Sequence, residues 1–293
     1  MHYIKKNSLV NKFKATFYIV VLIIINSCSK DNFEAKVPSY ITIDKFTVTS
    51  NYSAHGSSSS NITDVWVYIN DDLVGTYELP ARFPVIKEGT YNVKLYAGIK
   101  DNGVSGLRER YLFYTPHEEQ ITFEKDKEIK IEPKVTYISS TKTAWLEDFE
   151  SPSTSFTYST GSDTIINKTT TGVFEGNASG YVYLQSYMDF FEAKSPTFSN
   201  VSSLGSPVYL ELNFKTNEPI LVGLKTDDDN IGIVNLNTTS TWKKIYINLT
   251  PAISQKSANT NFHVFFGIQS SGLSPFQTSN PEFYLDNIKI LHY

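Results

Sequence analysis

Cysteine is almost missing from this chain. Cys28 is the only one in 293 residues, so no intramolecular disulfide can hold the fold and stability has to come from core burial. Basic residues are in no excess, 26 against 30 acidic for a formal charge of -4, which makes nucleic acid and anionic membrane surfaces poor partners. Methionine occurs twice and tryptophan three times, whereas Tyr and Phe occur 19 times each. Histidine is scarce, with 5 in the whole chain. No H-E-x-x-H pair and no G-x-S-x-G elbow is present, so metalloprotease and serine-hydrolase chemistry find no support. The apolar run at residues 17–25 is far short of the ~20 residues that a membrane-spanning helix needs.

What is present starts at the first residues. Lys5, Lys6, Lys12 and Lys14, with no acid among them, precede that apolar run and then Asn26-Ser27-Cys28. A basic stretch, a short apolar stretch and small residues at a processing site are the parts of an export signal. The segment resembles the signal of bacterial lipoproteins, with Ile25 and Ser27 in the lipobox positions before the cysteine. The resemblance implies that residues 1–27 are removed and that the Cys28 thiol takes a diacylglyceryl group. Ser29-Lys30-Asp31-Asn32-Phe33-Glu34 resembles the acidic export tag of surface lipoproteins in Bacteroidetes-type bacteria. The expected location is therefore the outer membrane, lipid-anchored and exposed at the cell surface, with a periplasm-facing position as the alternative. Loss of four lysines would leave 22 basic against 30 acidic residues.

Short alternating runs rich in Ser, Thr, Asn, Tyr and Phe, separated by turn residues, predict an all-β protein. After a tether at residues 28–37, a first domain is expected at 38–138. Tyr40 to Val48 alternates as a strand. The stretch 51–61, with four serines in a row, reads as a polar loop, and the two runs flanking Asn70-Asp71-Asp72 read as a hairpin. Residues 118–132, with charges around Ile121, Phe123, Ile129 and Ile131, read as a second hairpin with one wet face. Lys100-Asp101-Asn102-Gly103 and Ser105-Gly106, followed by Arg108-Glu109-Arg110, read as a solvated connection or as a polar recognition loop, the former being the commoner case. The V-x-V-x-I-N-D run at residue 65 and the G-x-Y-x-V strand at residue 89 resemble small immunoglobulin-like or PEGA-like modules of bacterial envelope proteins. Such modules act as spacers or adhesive units.

A polar linker at 139–144 leads to a second domain at 145–293. It opens on Trp145-Leu146-Glu147-Asp148-Phe149-Glu150 and closes on Phe283-Tyr284-Leu285-Asp286-Asn287-Ile288-Lys289-Ile290. This bracketing resembles the carbohydrate-binding and galactose-binding-like jelly rolls of exported bacterial proteins. The resemblance implies that the first and last strands pair and that Asp148, Glu150, Asp286 and Asn287 hold a structural calcium; strand-end acids without metal fit the same positions. Asp227-Asp228-Asp229-Asn230 reads as a turn or as a further calcium loop. The two-domain lipoproteins of Bacteroidetes-type bacteria are similar to the chain as a whole, at I-T-D-V-W-V-Y, E-L-P-A and W-K-K-I-Y-I-N-L-T.

Alternation assigns the faces of the later strands. With Val208, Leu210, Leu212 and Phe214 inward, Tyr209 and Lys215 point out; with Ile245, Ile247 and Leu249 inward, Trp242, Lys244 and Tyr246 point out; Val182 and Leu184 leave Tyr181 and Tyr183 outside. Tyr181, Tyr183, Tyr209, Trp242, Lys244 and Tyr246 are thus the candidate ligand-binding residues. Sugars stack their C–H faces on aromatic rings and need donors and acceptors nearby. A sheet face covered by other chain segments produces the same pattern. Three functions follow: a glycan-binding module, a structural or assembly component with an envelope-protein partner, and a glycan-active hydrolase whose paired carboxylates are spatial and so invisible in sequence. The first, with no catalytic residue, is the leading expectation.

Overall fold

A computed structural model describes residues 36–185, 187–201, 205–257, 259–269 and 280–293. The expected export signal and Cys28 lie outside the described residues. Among the described residues, no helix is long and apolar enough to cross a membrane.

The chain forms two β-sandwiches. The first is built from β1 (Ser39–Ile43), β2 (Thr47–Thr49), β3 (Asp64–Ile69), β4 (Asp72–Glu78), β5 (Ala81–Val85), β6 (Gly89–Lys100), β7 (Arg108–Arg110), β8 (His117–Phe123), β9 (Glu128–Ile131) and β10 (Lys134–Thr136), with a four-residue helix α1 (Tyr52–His55) after β2. One layer has the order β4-β3-β6-β7, with β8 also paired to β6; opposite it lie β5-β1-β9 and the pair β10-β2. Val65, Val67, Val93 and Leu95 from the first layer meet Ile41, Ile43, Phe83 and Ile131 from the second in one buried, immunoglobulin-like core. The β3–β4 hairpin turns at Asn70 and Asp71, both with positive φ (50° and 67°), the conformation that two-residue turns demand and that Asn and Asp tolerate.

Two local expectations change. Tyr40 to Val48 is not one strand. It breaks at Asp44-Lys45-Phe46, so that β1 pairs with β5 and β9 while β2 pairs with β10. Residues 118–132 are not a hairpin either. β8 pairs with β6 in one layer and β9 with β1 in the other, because Ile121, Phe123 and Ile131 all point into the core between layers. Period-two alternation specifies a face and leaves the neighbouring strand open.

The second sandwich contains β11 (Lys142–Glu147), β12 (Thr157–Tyr158), β13 (Asn167–Thr169), β14 (Ser179–Tyr183), β15 (Phe190–Lys194), β16 (Val208–Thr216), β17 (Ile220–Lys225), β18 (Asn230–Leu236), β19 (Thr239–Asn248), β20 (His263–Gln269) and β21 (Glu282–His292), with a helical turn α2 (Thr250–Ile253). A six-stranded layer of order β13-β14-β21-β16-β19, in which β11 also pairs with β21, packs on a five-stranded layer of order β12-β15-β20-β17-β18, giving the jelly-roll sandwich. The first and last strands pair antiparallel, Trp145 opposite Ile290 and Glu147 opposite Ile288. Val182, Leu210, Leu212, Ile247 and Leu285 fill the core from one layer and Phe191, Val222, Leu224 and Phe266 from the other.

The Glu147-Asp148-Phe149-Glu150 opening is a turn built around its phenylalanine. Phe149 has φ 60° and a fully buried ring, seated so close to β14 that a Cβ on Gly180 would lie 2.4 Å from it. The surrounding acids tie down the loop. Glu147 accepts from the Phe149 and Ser155 amides at 3.1 and 2.7 Å. Asp148 accepts from the Glu150 amide at 3.1 Å, and Glu150 from the Asn177 amide and side chain at 2.8 Å each.

Candidate functional site

The outward face of the six-stranded layer is divided in two. Its lower half is buried under the first sandwich. Tyr209, Lys244 and Tyr246 are only 7, 6 and 1% exposed, so these three do not belong to an open ligand face. They point away from their own core, as alternation requires, but Tyr111, Tyr114 and Tyr137 of the first sandwich cover them: the Tyr111 ring lies 4.7 Å from Tyr246 and 5.6 Å from Tyr209. At the centre Glu211, with no exposure, has Oε2 2.8 Å from Lys244 Nζ and 3.7 Å from Lys289 Nζ. Its Oε1 accepts from the Tyr111 hydroxyl at 2.5 Å, and the Tyr137 hydroxyl donates to the carboxylate at 3.1 Å. Burial works against the charge, but the two ammonium groups and the Tyr111 hydroxyl outweigh it and hold Glu211 down to about 2. Burial pushes the Lys289 ammonium down to about 8 against the attraction of Glu211.

The polar stretch 51–61 closes this junction. Lys289 Nζ donates to the His55 and Ser57 carbonyls at 2.7 and 2.9 Å, and the Asn61 amide donates to the Tyr246 hydroxyl at 3.0 Å. The connection after β6 is anchored at its start, where Asn102 N donates to the Tyr246 carbonyl at 3.0 Å and its side-chain oxygen accepts from the Asn248 amide at 2.8 Å, while residues 103–107 are solvent-exposed as expected.

The upper half of the same face carries half-buried rings. Tyr181 stands opposite Tyr284, and Tyr284 opposite Lys215, so strands β14, β21 and β16 place them in one row that Trp242 of β19 extends. Ring centroids lie 6.4 Å apart for Tyr183–Tyr181, 4.7 Å for Tyr181–Tyr284, 6.2 Å for Tyr284–Trp242 and 5.4 Å for Trp242–Phe174. Lys215 Nζ sits 4.1 Å from the centre of the Tyr284 ring. The Trp242 indole N–H donates to the Gly172 carbonyl at 3.1 Å, which fixes its plane. Glu282 stands opposite Tyr183. Partial burial, reinforced by the Glu282 charge, pushes the Tyr181 hydroxyl up to about 12 and raises Tyr284 as well, so both are neutral hydrogen-bonding groups at physiological pH. Beside the row, Lys215, Asn217, Thr238, Ser240, Glu282 and Tyr284 line a groove of about 420 Å³, within the size range of ligand sites.

Three of the six predicted ligand residues, Tyr181, Tyr183 and Trp242, therefore stand together. Tyr284, Glu282 and Asn217, which line the groove beside them, are not among those six. Tyr284 lies in the closing strand between core residues Phe283 and Leu285, so its alternation was readable, but its place beside Tyr181 depends on strand pairing.

The calcium residues do not gather around one point. Among the described residues no group of three or more His, Cys, Asp or Glu side chains is placed to hold an ion. Asp148 accepts from the Glu150 amide of its own loop and from the Tyr52 hydroxyl at 2.9 Å, and Glu150 ties that loop to Asn177. Asp286 accepts from the Ser179 hydroxyl at 2.6 Å and the Asn287 amide at 2.7 Å; burial raises it to about 6 despite these bonds. Asn287 donates to Glu175 at 2.9 Å. Calcium takes six to eight converging oxygens, and here these carboxylates accept hydrogen bonds from amides and hydroxyls. Residues 227–230 form a turn in which the Asp228 and Asp229 amides donate to the Thr226 hydroxyl, and Asp229 pairs with Lys256.

Comparison with known proteins places no family on the chain: no family model and no curated protein matches it. Among solved structures it is similar to a carbohydrate-binding module of the β-sandwich superfamily, at 15% identity over 88% of this chain and 99% of that one, TM-score 0.35. A mutant family 29 carbohydrate-binding module complexed with mannohexaose shares 7% identity over 52% of this chain and 90% of that one, TM-score 0.33. The enzymatically active domain of bacteriophage CBA120 tailspike protein 4 shares 12% over 47% of this chain but only 19% of that one, TM-score 0.36. Likenesses this weak carry no argument about function, which rests on the geometry.

Proposed function

We propose that this is an exported, lipid-anchored envelope protein that binds glycan, without turnover, on the upper face of its C-terminal sandwich. The observation that supports the reading is the row Tyr183, Tyr181, Tyr284 and Trp242 beside a groove carrying Lys215, Asn217 and Glu282. Flat rings take the apolar faces of sugar rings, while the ammonium, amide and carboxylate meet hydroxyls. The first sandwich, joined to the second through Glu211, acts as a stiff spacer between lipid and binding face.

On an array of plant and microbial polysaccharides, the purified protein is expected to retain at least one class. Trp242→Ala or Tyr284→Ala should lower that affinity about tenfold or more, since a stacked ring contributes on the order of 1 kcal/mol beyond its buried area. Retention of no polysaccharide, or retention indifferent to both substitutions, sinks the reading. Anchoring is tested separately. Cys28→Ser should move the protein from the membrane fraction to the soluble fraction, still folded, because the only thiol makes no disulfide; a membrane-bound variant would count against the lipid.

A further inference from the structure

A second groove, of about 360 Å³, lies where the two sandwiches meet, lined from both. Asn61 and Lys100 come from the first sandwich, and Asn235, Asn237, Lys243 and Lys244 from the second. Its lining contains three lysines and no Asp or Glu, although the chain as a whole is acidic. The positive lining is thus a local arrangement and no reflection of composition. Lys244 is committed to Glu211 at 2.8 Å. Lys100 and Lys243 form no salt bridge with any described residue. The nearby acid Asp101 is buried and turned to Asn248, whose side-chain amide donates to it at 3.3 Å.

The walls are held in place before any ligand arrives. Asn61 Nδ2 donates to the Lys244 carbonyl at 3.1 Å, and Asn102 is fixed to Tyr246 and Asn248 by the two hydrogen bonds described above. Pre-set polar walls lower the ordering cost of binding. Two cations without carboxylate partners call for an anion, and the amides of Asn235 and Asn237, both exposed, offer donor and acceptor pairs suited to hydroxyls. A mineral anion would use only the lysines; a sugar acid uses both.

We propose that the groove between the sandwiches binds the carboxylate-bearing unit of an acidic saccharide, with Lys100 and Lys243 on the carboxylate and Asn61, Asn235 and Asn237 on the hydroxyls. This site is distinct from the aromatic row and does not depend on it. The two abut: Asn235 and Asn237 line this groove, and Thr238 to Ser240 of the same turn line the other.

The test is calorimetric titration of the protein at low ionic strength with trigalacturonate, its carboxyl-reduced neutral counterpart and inorganic sulfate. Trigalacturonate is expected to bind saturably, and Lys100→Gln with Lys243→Gln should weaken it about tenfold or more, as should the neutral counterpart or raised salt. Both lysines reach solvent, so the double variant should keep the parent melting temperature. Asn237→Ala gives a second arm with a smaller loss. No binding of trigalacturonate, equal binding by the double variant, or sulfate competing as strongly as the saccharide overturns the proposal. None of these outcomes bears on the polysaccharide retention expected of the aromatic row.

Discussion

Glu211→Ala should be the most damaging single change in the molecule's polar groups, lowering stability by about 3–5 kcal/mol, because it strands two ammonium groups in a buried junction. Lys244 and Lys289 lose their shared counter-charge, and the Tyr111 and Tyr137 hydroxyls lose their acceptor. Chemical denaturation of the parent and variant measures the loss. Replacing Glu211, Lys244 and Lys289 together by apolar residues should recover much of it, since a whole buried ion cluster can be exchanged at small net cost. An alanine variant as stable as the parent would show that the junction is not held this way. Acid gives an independent arm. Glu211 is held at about 2 in the folded chain, below its ordinary 4.5, so its contribution is fully present above pH 4.5 and is lost as pH falls through about 2. Lys289 has the opposite sign. Its folded value of about 8 lies below the ordinary 10.5; between those values the unfolded chain binds more protons, and stability from this group rises with pH.

Phe149→Ala is expected to cost about 3–5 kcal/mol, the range for deleting a fully buried phenyl ring. By contrast Asp148→Ala and Glu150→Ala should each cost about 1 kcal/mol or less, since their bonds lie at the surface of the loop. Thermal unfolding of the three variants, with and without a chelator, decides the matter. The physical reason for the order is that the ring of Phe149 fills the space over Gly180, whereas the flanking acids accept exposed hydrogen bonds from nearby amides and from the Tyr52 hydroxyl. Acids that matter more than the ring, together with a melting temperature lowered by chelation, would restore a metal to this turn.

The turn and the core faces that were readable in sequence share a cause. Asn70 and Asp71 mark a hairpin because few other residues accept its positive φ, and Leu210, Leu212 and Ile247 mark a core because alternation across a strand is a local property. What misled was also local. Residues 118–132 look like a hairpin because both runs have a polar face, yet their apolar faces belong to different layers. The serine-rich stretch after β2 looks idle, yet its carbonyls hold Lys289; backbone acceptors leave no mark in a sequence.

Sequence alone determined the β architecture and which side of each strand its tyrosines occupy; the pairing of the first strand of the second sandwich with its last was implied only by the jelly-roll resemblance. Only the tertiary structure decided which of those tyrosines meet solvent. Tyr181 and Tyr246 are equally outward by alternation, but Tyr111, 135 residues from Tyr246 along the chain, covers Tyr246 and leaves Tyr181 half-buried at the surface. Burial of an outward face is a contact between distant segments, and no periodicity within a strand encodes it.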